Sequence, residues 1–304
     1  MRRIATLLSL ALASTVGAQD TTHGGHHAGA TAAAARPAVA SHPSRYSGRV
    51  VTITARDFAF EAPDSVEAGY VTLRLLSRGK ELHHVQMVRL DEGHTLKDLF
   101  EAMKDPAAKP PKWMVEVGGP NAPVPGGESA ASLTLVPTRY ALICFIPSPD
   151  GTPHIMKGMA KELVVVPAKS AAAKAAKAPK APATTVTLTD YDFTLSSPLV
   201  AGEQTLRFVN DASQHHEMFI AALAPGKKAI ELAHWAEKQQ GPPPGMPIGG
   251  ITGIDKGQFN DISLKLEPGE YALICFLPDV KDGKPHFVYG MIKQVTVLPK
   301  VAKK

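Results

Sequence analysis

Tyr140-Ala-Leu-Ile-Cys-Phe145 returns unchanged as Tyr271-Ala-Leu-Ile-Cys-Phe276, and these two copies hold the only cysteines of the 304-residue chain. Each copy is a short apolar run with aromatic ends, the composition of a buried strand. A proline-bearing loop follows each, then His-x4-Met: His154 and Met159 in the first copy, His286 and Met291 in the second. An upstream histidine, His83 or His216, completes each set. The same four residue types in the same order, twice, are far harder to obtain from core packing than a lone buried cysteine.

The repeat extends well beyond these words. At a shift of 133, Asp57, Phe60, Ala68 and Gly69 fall on Asp190, Phe193, Ala201 and Gly202, and Leu73 falls on Leu206. Leu90 and Gly93 fall on Leu223 and Gly226 in the same register. Nearer the cysteines the shift becomes 131, placing Gly118-Gly119 on Gly249-Gly250 and Pro147 on Pro278. This is duplication of a whole domain rather than a solenoid repeat. Val51-Thr-Ile-Thr-Ala55 and Val71-Thr-Leu-Arg-Leu-Leu76 alternate as half-buried strands, and residues 83–90, 131–136, 139–145 and 161–166 supply further strands. Residues 95–104 have the spacing of a short amphipathic helix, and the glycine pairs read as turns. The expected fold is all-β: two tandem Greek-key β-sandwich domains, 49–166 and 184–299, each with a short helix. Between them, the Lys/Ala/Pro run 167–183 could form a stray helical turn, but its prolines and like charges favour an extended, flexible linker, and 300–304 reads as a basic tail.

The ends point to export. Arg2-Arg3, the apolar run 4–16 and Val16-Gly-Ala18 have the form of a secretory signal over 1–18, so a periplasmic or secreted protein is expected. The apolar run is too short for a stable membrane span. Residues 19–48, rich in alanine and carrying His23, His26 and His27, lack apolar periodicity and read as a disordered spacer. The formal charge of +5 comes without a basic stripe interleaved with aromatics, so nucleic acid is not an expected partner. A disulfide is not expected, since the two cysteines hold matching places in separate repeats.

The copies choose between neighbouring candidates. Of His83-His84 and His215-His216, the ungapped register pairs His83 with His216. Val85 and Met87 then lie on the same side of the strand as His83, which faces it inward and leaves His84 and His215 as surface histidines. Met159 aligns with Met291, whereas Met156 aligns with Val288 and reads as packing. The metal-ligand sets are therefore His83, Cys144, His154 and Met159, and His216, Cys275, His286 and Met291. Two imidazoles, one thiolate and one thioether suit copper with a weak axial sulfur.

These residues resemble the cupredoxins, the blue-copper family of plastocyanin and azurin. Asn210-x5-His216 is similar to that family's first-histidine loop, with Ser77 in place of the asparagine in the first copy, and the Cys…His-x4-Met run is similar to its second. The spacings Cys144-x9-His154 and Cys275-x10-His286 exceed those of simple carriers, and with His-x3-Gly-Met they lie closer to the type 1 site of copper nitrite reductases. The resemblance implies cupredoxin-like domains with at most one type 1 copper each, working in one-electron transfer with a redox partner protein that the sequence leaves unknown. The alternatives are copper storage, delivery or resistance without redox work, or a degenerate cupredoxin-like interaction module. An enzyme is not expected. A copper oxidase or nitrite reductase would need a histidine beside the cysteine, and Ile143, Phe145, Ile274 and Phe276 stand there. No nucleophile elbow or phosphate loop is present either.

Overall fold

Alternation of buried and open positions sets the strands: in Arg49–Arg56, Val51, Ile53 and Ala55 point inward while their neighbours face outward. The computed structural model describes residues 46, 48–105, 110–182 and 184–300. The leader, nearly all of 19–48 and the tail beyond Lys300 lie outside the described residues.

The first half contributes β1 (Arg49–Arg56), β2 (Ala59–Glu61), β3 (Ser65–Glu67), β4 (Gly69–Ser77), β5 (Gln86–Leu90), β6 (Met114–Gly118), β7 (Glu128–Leu135), β8 (Arg139–Ile143) and β9 (Ala160–Val166). The second half contributes β10 (Thr184–Thr189), β11 (Asp192–Leu195), β12 (Gly202–Asn210), β13 (His216–Leu223), β14 (Gly245–Ile254), β15 (Phe259–Leu266), β16 (Gly269–Ile274) and β17 (Ile292–Val297). Helix α1 (Leu96–Ala102) lies in the first half and α3 (Ala229–Lys238) in the second. Thr95 starts α1 with a reciprocal cap: its side chain takes the Asp98 N–H while Asp98 takes the Thr95 N–H.

The halves share their sheets. One sheet runs β11-β10-β12-β15-β7-β4-β1-β2, the other β17-β16-β13-β14-β6-β5-β8-β9-β3. Each passes from one half to the other through equivalent strands, β7 against β15 and β6 against β14, both antiparallel. Like edges therefore meet like edges, a local pseudo-two-fold arrangement in which β6, β7, β14 and β15 cover one another while β2, β3, β11 and β17 stay at the sheet edges. At this seam Arg207 clamps the buried Asp261 through two bonds of 2.7 and 2.8 Å, and Tyr70 of the other half donates to the same carboxylate at 2.6 Å. Asn260 donates to the Val117 carbonyl and accepts the Gly119 N–H, both at 2.9 Å.

Two readings change here. Gly118 closes β6 and Gly249-Gly250 lie inside β14, so the glycine pairs are not free turns. A Cβ on Gly118 would sit 2.1 Å from Oδ1 of Asn260, and one on Gly250 would sit 1.9 Å from the Met218 carbonyl. Both also hold positive φ, so close strand approach, across the seam at Gly118 and between β13 and β14 at Gly250, demands glycine. The linker is also not extended throughout. Ser170 caps a helical turn, α2 (Ala171–Ala175), and Glu67 accepts the Lys169 and Ser170 N–H groups at 2.8 and 2.9 Å. The Ala176 carbonyl accepts the Tyr70 N–H at 3.0 Å, which straps the segment to β4. The Glu67 carboxylate and the Tyr70 N–H thus satisfy backbone groups of a segment whose lysines repel one another.

Each half has its own core, Cys144 and Met159 lying in the first and Cys275 and Met291 in the second. Both cysteines are free and buried. Among the described residues no helix is long and apolar enough to cross a membrane.

Candidate metal centres

Strand β8 delivers Cys144 and β16 delivers Cys275, each as the first residue beyond the strand. The chain then loops out and returns through a single 3-10 turn, His154–Lys157 or His286–Tyr289, opened by a proline and closed by a glycine. Gly158 and Gly290 have φ of 95° and 107°, a conformation that L side chains rarely adopt. That reversal brings the methionine back beside its own loop. Met159 donates its N–H to the His154 carbonyl and accepts the Cys144 N–H, at 3.0 and 3.2 Å. Met291 repeats both bonds with His286 and Cys275 at 3.1 Å. The His-x3-Gly-Met pattern thus has a geometric cause.

Three ligand atoms converge in each half. Nδ1 of His154 lies 3.1 Å from Nδ1 of His83 and 3.4 Å from Sγ of Cys144. In the second half, Sγ of Cys275 lies 3.4 Å from Nδ1 of His286 and 3.9 Å from Nδ1 of His216. All the ligand atoms of each trio fall within 4.8 Å of one another, and all six residues are buried. Met159 and Met291 are fully buried in the same cores.

The electrostatics favour neutral donors waiting for a cation. Burial lowers the His83 and His216 pKa values and, with His216 alongside, brings His286 down to about 4. These imidazoles keep their lone pairs at neutral pH. Burial pushes the Cys144 thiol up to about 12, and the Cys275 thiol up as well. A thiolate in such a site requires a positive partner, and a bound metal ion supplies one.

The imidazoles are steered from behind by residues that the sequence reading left without a role. Asp57 lies 3.0 Å from Nε2 of His83, and Asp190 lies 3.1 Å from Nε2 of His216. With Nε2 held by a carboxylate, each ring offers Nδ1 forward. The signal was present, since Asp57 and Asp190 occupy one repeat position. The next residues, Phe58 and Tyr191, take φ of 66° and 71°, strained for aromatic side chains. Their rings stand edge-on to His154 and His286, with centroids 5.2 and 5.8 Å away.

Three site expectations need correction. Met156 does not pack in the core: its side chain is exposed, as is that of Val288 at the matching place. His83 precedes β5 rather than lying on it, although it is buried as expected; His216 does open β13. His84 is not a surface residue, and His215 is half-buried. His84 is buried and its Nε2 accepts the Phe145 N–H at 3.0 Å. At the matching position Glu217 accepts the Phe276 N–H at 3.0 Å. Simple alternation failed at His84 because His83 and His84 both lie in the loop that enters β5, where both are buried. His215 lies at the seam, 3.4 Å from Glu116 of the first half.

No protein-family model and no curated protein matches the chain. Among solved structures it is similar to auracyanin B, at 20% identity and a TM-score of 0.28, over 40% of this chain and 92% of that one. It is also similar to auracyanin from the photosynthetic bacterium Roseiflexus castenholzii, at 16% identity and a TM-score of 0.29, over 40% of this chain and 98% of that one. A blue copper oxidase from Nitrosomonas europaea aligns over 83% of this chain and 86% of its own, at 16% identity and a TM-score of 0.25.

Proposed function

We propose that each half holds one copper ion between two imidazole Nδ1 atoms and a cysteine thiolate, and that the chain is a one-electron carrier. The observation that carries this reading is the convergence of Cys144 with His83 and His154, repeated by Cys275 with His216 and His286. One soft sulfur and two borderline nitrogens form the donor set that favours copper over harder cations. The donors fit the ion: buried, largely neutral and free of any disulfide. Bound there, copper would supply a reversible Cu(I)/Cu(II) couple. Met159 and Met291, whose backbones bond to the histidine and cysteine of their own loops, would add a weak thioether donor in this reading.

The chain's own residues do the rest. Asp57 and Asp190 orient one ring in each half. Phe58 and Tyr191 stand against the other ring and help keep water away from the sulfur. The Phe145 and Phe276 amides are tied back to His84 and Glu217, which fixes the backbone beside each thiolate. Donors held this firmly need little rearrangement when the charge at the centre changes. A carrier rather than a catalyst is the reading that Ile143, Phe145, Ile274 and Phe276 support, since no histidine flanks either cysteine.

The test is a Cu(II) titration of the mature chain, followed by visible absorption and copper count. Two coppers per chain with an intense thiolate-to-copper band and a reversible potential are expected. Copper without that band would favour storage or delivery, and no tight copper would leave a tandem sandwich acting through its surfaces.

A further inference from the structure

Where the halves meet, a second kind of ligand cluster forms away from the cysteines. Glu116 comes from β6 of the first half, Asp255 directly follows β14, and His215 directly precedes β13. Their ligand atoms all lie within 4.8 Å of one another, with Nδ1 of His215 3.4 Å from Oε2 of Glu116. The two carboxylates cannot drift apart. The Glu116 N–H donates to Oδ2 of Asp255 and the Asp255 N–H donates to the Glu116 carbonyl, both at 2.9 Å.

The cluster is short of positive charge. Oε2 of Glu116 is shielded from solvent and makes no hydrogen bond. Burial brings the Glu116 carboxyl up to about 7 and also raises Asp255, with Glu116 beside it adding to the rise. Arg89 is the other cation that bears on Asp255, and both arms of its guanidinium are committed to Asp91 at 2.7 and 2.9 Å. Two facing carboxylates, one from each half, are thus set against one imidazole.

We propose that Glu116, His215 and Asp255 form a binding site for a divalent first-row cation of the zinc class, stapling the two halves at their seam. One nitrogen and two carboxylate oxygens are the donors such ions take, and the two negative charges balance a dication. Without sulfur, the set discriminates against Cu(I) and so differs in selectivity from the cysteine sites. The ion would exchange carboxylate repulsion for ligation and join β6 to the ends of β13 and β14. Further ligands would be water.

Co(II) alone is the probe, added to the full chain carrying Cys144→Ser and Cys275→Ser so that no thiolate competes. One Co(II) per chain with weak visible bands, and a higher unfolding temperature in its presence, is the expected result. Adding Glu116→Gln, or separately Asp255→Asn, should weaken that binding at least tenfold while circular dichroism shows the fold retained. Co(II) affinity unchanged by both substitutions would overturn the proposal, as would absence of Co(II) binding in the Cys-to-Ser background. Because that background lacks both thiolates, and Glu116→Gln and Asp255→Asn leave the imidazole pairs untouched, the loss of affinity reports on the seam whether or not the cysteine sites hold copper.

Discussion

The two cysteine sites share their inner residues and differ in what stands behind them. In the first half Glu81 reaches Nε2 of His154 at 2.8 Å, and the position matching Asp279 is Ser148, whose Oγ makes no hydrogen bond. In the second half Gln214 replaces Glu81, and the carboxylate comes instead from Asp279, 3.9 Å from Nε2 of His286. Asp279 is engaged by Gln214 at 3.0 Å and by the Tyr191 hydroxyl at 2.5 Å, so His286 keeps no hydrogen bond at Nε2. Each half therefore has one carboxylate near its second histidine, bonded directly in one and diverted in the other. A carboxylate that accepts from a ligand imidazole makes the ring a stronger donor and favours the more highly charged metal state. Duplicated ligand sets can thus acquire different potentials without a change in any ligand. On the copper reading the first site has the lower potential, and electrons settle in the second.

The largest effect tests whether there are two equivalent sites to compare. Cys144→Ser and Cys275→Ser should each remove one thiolate-to-copper band, leaving the other. Loss of the entire band with a single substitution would mean that only one half is a type 1 site. Next comes the thioether: Met159→Leu or Met291→Leu should raise the potential of its own site with copper retained. Copper loss in either variant, read by metal analysis, would show the sulfur to be more than a weak axial donor.

Smaller, and aimed directly at the asymmetry, Glu81→Gln should raise the first site's potential toward the second, by on the order of 50 mV. Spectroelectrochemistry would then see two one-electron waves draw together. Waves that are already coincident in the unmodified chain would break the comparison. The smallest effect lies in the first-histidine loop. Asn210 donates to the Gln214 and Ile254 carbonyls and accepts the Ala212 N–H, while Ser77 at the matching place makes no side-chain hydrogen bond. Asn210→Ser should cost about 1–3 kcal/mol in urea unfolding, because it strands those groups. Ser77→Asn should be neutral or mildly stabilising.

Much of this was legible beforehand because the chain states it twice. The verbatim repeat around Cys144 and Cys275, and the aligned Gly-Met pairs, separated Met159 from Met156, and backbone geometry explains the glycine. Alternation identified β1 and β4 because their faces truly differ in burial. It failed at His84 and His215, which lie where a loop enters a strand and period-two logic does not yet apply. The linker was misjudged for a related reason. Its composition describes an isolated chain, whereas Glu67 and Tyr70 supply partners that only the folded sheet presents.

The sequence by itself determined the two-fold duplication, the all-β class and the four-residue sets, because these depend on residue type and spacing along one chain. Only the tertiary structure decided which groups stand behind the imidazoles, that the two sheets run unbroken through both halves, and that Glu116 meets His215 and Asp255. Those contacts join residues from 26 to 139 positions apart, and their pairing follows from how loops and strand edges dock rather than from any local pattern.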